Sequence, residues 1–381
     1  MPTTRVLHVV ENLDRQAVEN WLLRVLREAS RDYPNSHWTF FCVLGEEGRL
    51  DDEARSLGAD VIHSRYPLGD KRRFLLGLRE VMKRGRFDIL HCHHDIMSAA
   101  YLAVSARLPF RKRIVHLHNT SLGLPTPSKL KSGLAREPMR QLCLRMADQI
   151  VGISTEALES LVGTDRRDPK RDRVVHYAVD TTRFARAKVD RAGLRRQLSL
   201  EPAAKILLFV GRMVEYKNPS FLLEMIDELG REGENIFAVF AGSGNQEEKI
   251  REVARERKLQ DRVRLLGFRD DIPEIMRSSD LLVWPSREEP SEGLGLGIVE
   301  AQAAGLRVLM SQSVPGEAVI IPELVKVVPL GAGAQYWAEV AVKTLSDSSV
   351  PEDLLARVER SSFSLKQGVS DLMALYETPA G

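Results

Sequence analysis

The sequence predicts an α/β protein built from two doubly wound, mainly parallel sheets. Short apolar runs alternate with helix-length amphipathic segments along the first half of the chain, which is the pattern of a parallel sheet covered by helices. A charged interval at residues 182–196 interrupts this pattern and is the best candidate for a linker. The alternation then restarts. Because 381 residues also exceed the roughly 100–200 of a usual single domain, we expect two domains.

Individual elements follow from the apolar runs and the segments between them. In the first half we predict helices at 18–28 and 74–83, and strands at 6–10, 39–44, 59–63, 88–91, 113–117, 149–153 and 174–177. In the second half we predict strands at 205–210, 236–241, 263–266, 281–284 and 307–311, and helices at 219–231, 246–258, 272–278 and 297–304. A last helix at 365–376 follows a serine-rich break. The predicted domains are residues 1–184 and 185–363, and the C-terminal helix, about 364–381, is expected to pack back on the first.

Composition indicates an ordinary globular protein. Hydrophobic residues make up 43% and charged residues 28% of the chain, and no stretch approaches the roughly 20 apolar residues of a membrane span. The first residues turn polar too soon for a signal peptide. The three cysteines, Cys42, Cys92 and Cys143, are widely spaced, which excludes a disulfide scaffold and fits a reducing compartment. We therefore predict a soluble, cytoplasmic protein.

The positive charge is concentrated in the first half of the chain. Residues 1–184 hold 30 Lys/Arg against 23 Asp/Glu, a net +7, whereas the remainder is −5. Between residues 97 and 147 there are nine Lys/Arg and one acid, Glu137. This stretch is either a solvated face or a surface that attracts a phosphate-bearing substrate or an acidic membrane. Nucleic acid is a less favoured partner, because the pI of 8.4 is modest and no nucleic-acid-binding signature is present.

The most informative stretch is WPSREEPSEGLGLGIVEAQAAG, residues 284–305. A strand ends, a polar loop follows, and Gly293, Gly295 and Gly297 lead into an apolar helix. Glycines at a helix start let the backbone approach a ligand closely, and the unpaired first-turn N–H groups then face an anion. The pattern is typical of a diphosphate site.

Two carboxylates flank this glycine loop. Glu292 precedes the glycines and Glu300 follows eight positions later, on the first turns of the predicted helix. A carboxylate suits sugar and ribose hydroxyls because it accepts two charge-assisted hydrogen bonds. For Glu300 the alternative is an acid that is favoured near a helix N-terminus by the helix dipole.

A second cluster follows the first strand of the second domain. The loop contains Arg212 and Lys217, which are either solvated or placed to neutralise a leaving diphosphate. A third glycine turn, with Gly242 and Gly244, ends the next strand. No Asp-x-Asp occurs in the sequence, so a metal–diphosphate clamp has no obvious ligands.

Together these residues resemble glycosyltransferase family 4, whose members are retaining enzymes with the GT-B fold, two Rossmann-like domains facing a central cleft. Glu292 and Glu300 match the Glu-x7-Glu motif, and Gly211, Arg212 and Lys217 match Gly-Arg-x4-Lys. Further matches, to the family's FxxD and DLxxxPS patterns, are Phe268, Asp271, Asp280-Leu281 and Pro285-Ser286. The chain looks most similar to bacterial capsular and exopolysaccharide transferases, through VLHVVENL, HLHN and residues 310–330.

The resemblance implies a role for each matched residue. Glu292 is expected to contact hydroxyls of the donor sugar and Glu300 those of the ribose. Arg212 and Lys217 are expected to bind the diphosphate and stabilise it as it leaves, and His118 to contact the transferred sugar. The remaining donor-binding candidates are Gly293, Leu294, Gly295, Leu296, Gly297, Gly211, Gly242, Gly244 and Phe268. The nucleotide sugar, with a UDP-sugar favoured, is a substrate, and neither a cofactor nor a metal is expected.

The acceptor side departs from the family. Members often carry Gly-Gly-Ala-Glu after the first strand, whereas here the chain reads RQAVENW from Arg15. The acceptor-side candidates are Arg15, Gln16, Asn20 and His94. Glycines at these positions let the backbone sit against the ligand. Because both glycines are replaced here, we expect the C-terminal motifs to supply nearly all nucleotide affinity.

Histidines crowd the ends of two predicted strands. They are His91, His93, His94, His116 and His118, with Cys92 between them. A metal site is one interpretation, although adjacent strands bring such residues together without creating chelating geometry. The favoured interpretation is contact with the acceptor or simple lining of the cleft.

The predicted function is a retaining transfer of a sugar from a nucleotide sugar to a glycan or lipid-linked acceptor in surface polysaccharide biosynthesis. The expected place is the cytoplasm, with peripheral association with the inner face of an anionic membrane. The alternatives are a catalytically silent nucleotide-sugar-binding subunit and a nucleotide-sugar epimerase of the same fold. Donor hydrolysis distinguishes a transferase from the silent subunit, because a silent subunit binds the donor without cleaving it.

Overall fold

In the computed structural model the chain divides into two compact units. The first comprises residues 1–178 and 365–381, and the second comprises residues 179–364. The structure describes residues 3–14, 17–120, 129–347 and 349–377, and for 129–134 it describes the backbone alone. Within these ranges, no helix is both long enough and apolar enough to cross a membrane.

The first unit is built on a parallel sheet of seven strands. The strands are β1 (Thr4–Val10), β2 (Ser36–Cys42), β3 (Asp60–His63), β4 (Ile89–Cys92), β5 (Lys112–Leu117), β6 (Gln149–Gly152) and β7 (Asp172–Val174). Their order is β3-β2-β1-β4-β5-β6-β7. Helices cover the sheet, namely α1 (Ala17–Asp32), α2 (Asp51–Ser56), α3 (Lys71–Gly85), α4 (Ser98–Ser105), α5 (Lys129–Met146) and α6 (Thr155–Val162).

Burial on both faces explains the sequence of the central strand β1. Its last five residues, Val6 to Val10, are all buried, so an almost continuous apolar run suits it better than alternation. His8 is the polar exception in this run. It lies opposite His91 in the parallel register of β1 and β4.

The second unit repeats the architecture with six parallel strands. The strands are β8 (Lys205–Val210), β9 (Ile236–Ala241), β10 (Val263–Leu265), β11 (Leu281–Trp284), β12 (Arg307–Ser311) and β13 (Val325–Val328), in the order β10-β9-β8-β11-β12-β13. Its helices are α7 (Thr181–Arg186), α8 (Arg191–Gln197), α9 (Ser220–Arg231), α10 (Glu247–Glu256), α11 (Ile272–Ser278), α12 (Leu296–Ala303), α13 (Gly333–Ser346) and α14 (Leu354–Glu359). The last helix, α15 (Leu365–Glu377), belongs to the first unit.

The charged interval 182–196 is not a linker. It forms parts of α7 and α8 and packs within the second unit. Arg195 is buried, its Nε donates to the carbonyl of Ala204 at 2.8 Å, and its Nη2 lies 2.6 Å from Asp280. The linker prediction failed because charged residues indicate a solvent-exposed segment only when their side chains have no partners within the protein.

Two strands also differ from prediction. β13 was not predicted, because Lys326 and Val327 in its middle are exposed and give the edge strand no apolar run. β7 spans Asp172–Val174 rather than 174–177. Its buried Asp172 forms an ion pair with Arg171 at 2.6 Å, so the sequence reads as polar where the strand lies.

Candidate active site

Two neighbouring strands of the second unit end beside a buried ion pair. Lys217 lies in the loop that follows β8, and Glu292 lies in the loop that follows β11. Lys217 Nζ donates to both carboxylate oxygens of Glu292, at 2.9 and 3.0 Å. Ser286 Oγ donates to the same carboxylate at 3.1 Å. Lys217 is 8% exposed and Glu292 is 7% exposed. Because water has little access to either charge, each one is stabilised mainly by the other.

An aromatic face completes the surroundings of this lysine. Nζ of Lys217 lies 4.4 Å from the ring centroid of Trp284 and 5.6 Å from that of Tyr216. A cation over a desolvated aromatic face is stabilised by the ring quadrupole. Trp284 in turn packs against α12, where a Cβ built on Gly297 would lie 2.7 Å from the indole. The small residue at position 297 therefore lets the indole lie under Lys217.

The glycine turns after β8 and β9 approach each other closely. Gly242 has φ +142°, and a Cβ there would lie 2.0 Å from the carbonyl oxygen of Gly211. Gly244 is equally crowded, because its Cβ would lie 2.3 Å from the carbonyl oxygen of Met213. The Met213 N–H donates to the Ser243 carbonyl at 2.9 Å. Both glycines are thus required by backbone-to-backbone contact within the unit.

Arg212 differs from Lys217 in its surroundings. It is exposed, and its Nη2 lies 3.4 Å from the hydroxyl of Tyr216. The loop is also tied to the one after β11, since the Arg287 N–H donates to the Tyr216 carbonyl at 2.7 Å and the Arg287 guanidinium lies 3.0 Å from Glu215. The two cations are therefore near each other in sequence, one exposed and one held by a carboxylate.

The other donor-side candidates lie around the start of α12 or on the loops that follow β8 and β10. Gly295 caps the helix with φ +81°, Leu294 is buried, and Leu296 begins the helix. Glu300 is half-buried on α12, Gly293 is half-buried before it, and Gly211 follows β8. Phe268, after β10, is 48% exposed.

In the first unit five histidines and Tyr376 form one hydrogen-bonded chain. Nε2 of His118 is 3.1 Å from Nδ1 of His93, whose Nε2 is 3.0 Å from Nδ1 of His8. Tyr376 of α15 bridges His8 and His91, at 3.4 and 2.9 Å. The chain ends on a bond of 3.2 Å from His91 Nε2 to His116 Nδ1.

Burial keeps these imidazoles neutral. Desolvation lowers the pKa of His8 to about 3, with a smaller contribution from His116, and lowers that of His116 itself to about 3. Burial first, and the neighbouring histidines second, hold the pKa values of His91, His93 and His118 well below the ordinary value. Each ring therefore carries one proton and offers one acceptor.

His118 uses both of its ring nitrogens inside the first unit. Nε2 contacts His93, and Nδ1 lies 2.6 Å from the hydroxyl of Tyr177. Its backbone N–H donates to Asp95 Oδ1 at 2.7 Å, and burial raises the pKa of that carboxyl. Contact between His118 and a sugar would therefore require one of these bonds to be exchanged.

The acceptor-side candidates are spread out. His94 bonds the hydroxyl of Tyr101 at 2.9 Å, and burial lowers its pKa to about 4. Asn20 is half-buried in α1, three residues after the helix begins. Arg15 and Gln16 lie outside the described residues.

Several residues of these two clusters were not predicted. Trp284 ends a predicted strand and Ser286 was cited only as a family match, and nothing in their spacing indicated contact with Lys217 and Glu292. His8 was also missed, although its register partner His91 lies one strand away. Tyr376 could not be found from sequence, because 285 residues separate it from His91.

Comparison with known families decides the identity. A model described as Glycosyltransferase Family 4 matches residues 18–183, and one described as Glycosyl transferases group 1 matches residues 190–354. The chain belongs to glycosyltransferase family 4. The resemblance inferred from Glu-x7-Glu and Gly-Arg-x4-Lys is thus confirmed.

This glycosyltransferase has relatives that align with most of its length. EpsF of Bacillus subtilis (strain 168), assigned as a glycosyltransferase, is 27% identical over 98% of this chain and 96% of its own length. The Escherichia coli UDP-Gal:alpha-D-GlcNAc-diphosphoundecaprenol alpha-1,3-galactosyltransferase is 26% identical over 73% of this chain and 72% of its own. The crystal structure of Anabaena HepE in complex with UDP and glucose has a TM-score of 0.79, with 15% identity, over 98% of this chain and 100% of that one. This likeness confirms the predicted GT-B fold.

Proposed function

We propose that this glycosyltransferase moves a sugar from a UDP-sugar, with retention of configuration, to a lipid-linked acceptor during synthesis of a surface polysaccharide. The proposal rests on the Lys217–Glu292 pair, which places a cation and a carboxylate in low-polarity surroundings beside the glycine-rich start of α12. UDP and glucose occupy the similar structure of HepE, and the galactosyltransferase of E. coli is named for a diphosphoundecaprenol-linked acceptor.

The pair supplies two different functions to a donor. In the free protein the Lys217 ammonium and the Glu292 carboxylate neutralise each other at 2.9 Å. A bound diphosphate offers Lys217 a second anion, while Glu292 can accept hydrogen bonds from sugar hydroxyls. Since the surroundings exclude water, the charge interactions that form as the diphosphate leaves are stronger than they are in solvent.

Retention follows from attack on the face from which the leaving group departs. The bond between the anomeric carbon and the β-phosphate oxygen breaks, and the acceptor oxygen bonds to the same face of that carbon. The acceptor proton passes to the departing phosphate oxygen, so the products are the glycosylated acceptor and UDP. Arg212 and Lys217 stabilise the negative charge on the leaving diphosphate.

Incubation with a panel of UDP-sugars tests the proposal. We expect slow release of UDP in water, faster release with an undecaprenyl-diphosphate-linked sugar, and a product whose anomeric configuration by NMR equals that of the donor. A donor that raises Tm by mass action without UDP release would instead indicate a silent binding subunit. Conversion of the donor to its epimer, without transfer, would indicate an epimerase.

A matched pair of variants ties the activity to this site. Glu292→Gln keeps the shape of the side chain but removes the charge that faces Lys217, and we expect UDP release to fall strongly. Glu248→Gln makes the same chemical change at an exposed residue of α10. Equal rates for the two variants would show that Glu292 does not take part.

A further inference from the structure

Three potential ligand side chains meet at one end of the first sheet. Cys42 is the last residue of β2 and His63 the last residue of β3, and the two are partners in the parallel register. Asp51 begins α2. One ligand atom from each residue lies within 4.8 Å of the others. We call Cys42, Asp51 and His63 the Cys42 cluster.

Among the residues that the structure describes, the cluster concentrates buried polar atoms that have no hydrogen-bond partner. They are both carboxylate oxygens of Asp51 and Nε2 of His63. Nε2 lies only 2.7 Å from Asp51 Oδ2, but the direction is wrong for a hydrogen bond. Buried polar atoms are almost always bonded, so such a group calls for a specific explanation.

The other nitrogen of His63 shows which atom offers a lone pair. Nδ1 lies 2.8 Å from the carbonyl oxygen of Glu46. A carbonyl accepts and does not donate, so Nδ1 carries the proton of the neutral ring and Nε2 carries the lone pair. Metal-binding histidines use this arrangement, in which a backbone carbonyl fixes the ring and directs the free nitrogen to the ion.

Charges around the cluster favour a cation. The Asp51 and Glu19 carboxylates both act electrostatically on Cys42, and both residues are buried. The opposing groups are the Leu13 backbone, which hydrogen-bonds the Cys42 sulfur, and Arg55, whose Nη2 lies 3.6 Å from Asp51. Its side chain is 44% exposed and also pairs with Asp52 at 3.0 Å, so it can leave Asp51 without losing a carboxylate partner.

We propose that Cys42, Asp51 and His63 bind a divalent cation of the zinc class, with water as the fourth ligand. Sulfur, imidazole and carboxylate together suit Zn²⁺ rather than Mg²⁺ or Ca²⁺. With ligand bonds of roughly 2.0–2.3 Å, Asp51 and His63 separate by about 0.6 Å. Binding replaces the thiol proton of Cys42, which is released to solvent. The cation lies outside the proposed transfer reaction and links the ends of β2 and β3 to α2.

The buried histidines offer a weaker alternative. His8, His91 and His93 also group closely enough to hold an ion, as do His93, His116 and His118. Most of their ring nitrogens already bond one another at 3.0–3.2 Å, so an ion would have to replace several hydrogen bonds. The carboxylate of the Cys42 cluster has no hydrogen bond to lose to any residue in the described part of the chain.

Cobalt titration of the full chain, after dialysis against chelator, tests the assignment. We expect thiolate-to-Co²⁺ charge-transfer absorption that Zn²⁺ removes, and release of about one proton per ion, measured in buffers of different ionisation enthalpy. Cys42→Ser is expected to abolish the absorption. His63→Gln is expected to weaken affinity by more than about 100-fold, because loss of a ligand exceeds the roughly 10- to 100-fold effect of outer-shell partners.

The chain offers matched controls for both variants. Cys143 is a fully buried thiol elsewhere in the same unit, and His37 is a histidine that also pairs with an aspartate, Asp60, at 2.8 Å. Cys143→Ser and His37→Gln should leave the absorption and affinity unchanged. Binding without thiolate absorption, or full affinity in His63→Gln, would overturn the proposal. His63 is partly exposed, so this variant remains informative if Cys42→Ser does not fold.

Discussion

Lys217 and Glu292 form a bidentate ion pair, with Nζ 2.9 and 3.0 Å from the two carboxylate oxygens, and both side chains are buried. Removal of either charge leaves the other one buried and uncompensated, which typically costs about 3–5 kcal/mol. The two residues are therefore coupled in stability as well as in any catalytic role. Effects on turnover have to be separated from effects on folding.

Lys217→Ala is expected to lower turnover at least about tenfold, because it removes a charge-assisted contact that strengthens as the diphosphate leaves. The measurement is the initial rate of UDP release at saturating donor, together with Tm. Lys249→Ala is the control, since Lys249 is exposed on α10. Unchanged turnover in a folded Lys217→Ala protein would remove this lysine from the site.

Donor cleavage is expected to persist in excess chelator. The sequence contains no Asp-x-Asp. Lys217 supplies positive charge at Glu292, directly before the glycine-rich loop, and Arg212 lies on the same loop as Lys217. UDP release is measured before and after dialysis against EDTA, then after addition of Mg²⁺ or Mn²⁺. An absolute requirement for either ion would refute metal-independent transfer. A change in Tm without a change in UDP release would instead indicate removal of a cation from the Cys42 cluster.

Sequence predicted the repeated α/β pattern well because buried parallel strands are continuous apolar runs. β1 and β8 show this directly, as all but one or two residues of each strand are buried. The family motifs that they match also assigned Glu292 and Lys217 to one donor site. Sequence could not predict that the two charges pair, because pairing depends on side-chain direction across 75 residues. Tyr376 illustrates the same limit over 285 residues.

Gly297→Ala is expected to destabilise the second unit and to lower turnover. The new Cβ would meet the Trp284 ring at 2.7 Å, and overpacking of this kind costs about 1–3 kcal/mol. Ala gains up to about 1 kcal/mol over Gly in a helix, so we expect a net loss. Displacement of Trp284 also disturbs Lys217, which lies over its ring at 4.4 Å.

Gly316→Ala is the matched control, because a Cβ there meets nothing within 4 Å. Urea unfolding gives the free energy of unfolding of each variant, and UDP release gives its turnover. Equal stability of the two variants would mean that Trp284 can move aside freely.

The basic stretch from Arg107 to Arg145 is expected to favour anionic membranes. Residues 121–128 within it lie outside the description. The prediction therefore rests on its charge, which is nine Lys/Arg against one acid, Glu137. Liposome sedimentation should increase with acidic lipid and fall with salt, since attraction is screened beyond about 8–10 Å at moderate ionic strength. Equal sedimentation with neutral and acidic vesicles would eliminate an electrostatic interaction.

Acid is expected to unfold the first unit before the second. All nine histidines lie in residues 1–178, and burial lowers the pKa values of His8, His116 and His94 to about 3–4. The unfolded chain takes up protons near pH 6.5, whereas these folded-state rings remain neutral. The stabilisation that these neutral histidines give the folded unit is complete above about pH 6.5 and is lost as pH falls toward 3–4. Between pH 7 and 5 each of them loses about 2 kcal/mol of this stabilisation.

The second unit provides the internal control. It contains no histidine, and its carboxyls with lowered pKa values, such as Asp271 beside Arg269, lose their stabilisation only near and below pH 4. Hydrogen exchange by mass spectrometry at pH 7, 6 and 5, corrected for intrinsic rates, measures each unit separately. We expect protection of β1, β4 and β5 to fall first, with β8 and β11 still protected at pH 5. Simultaneous loss in both units would show that buried imidazoles do not govern acid unfolding.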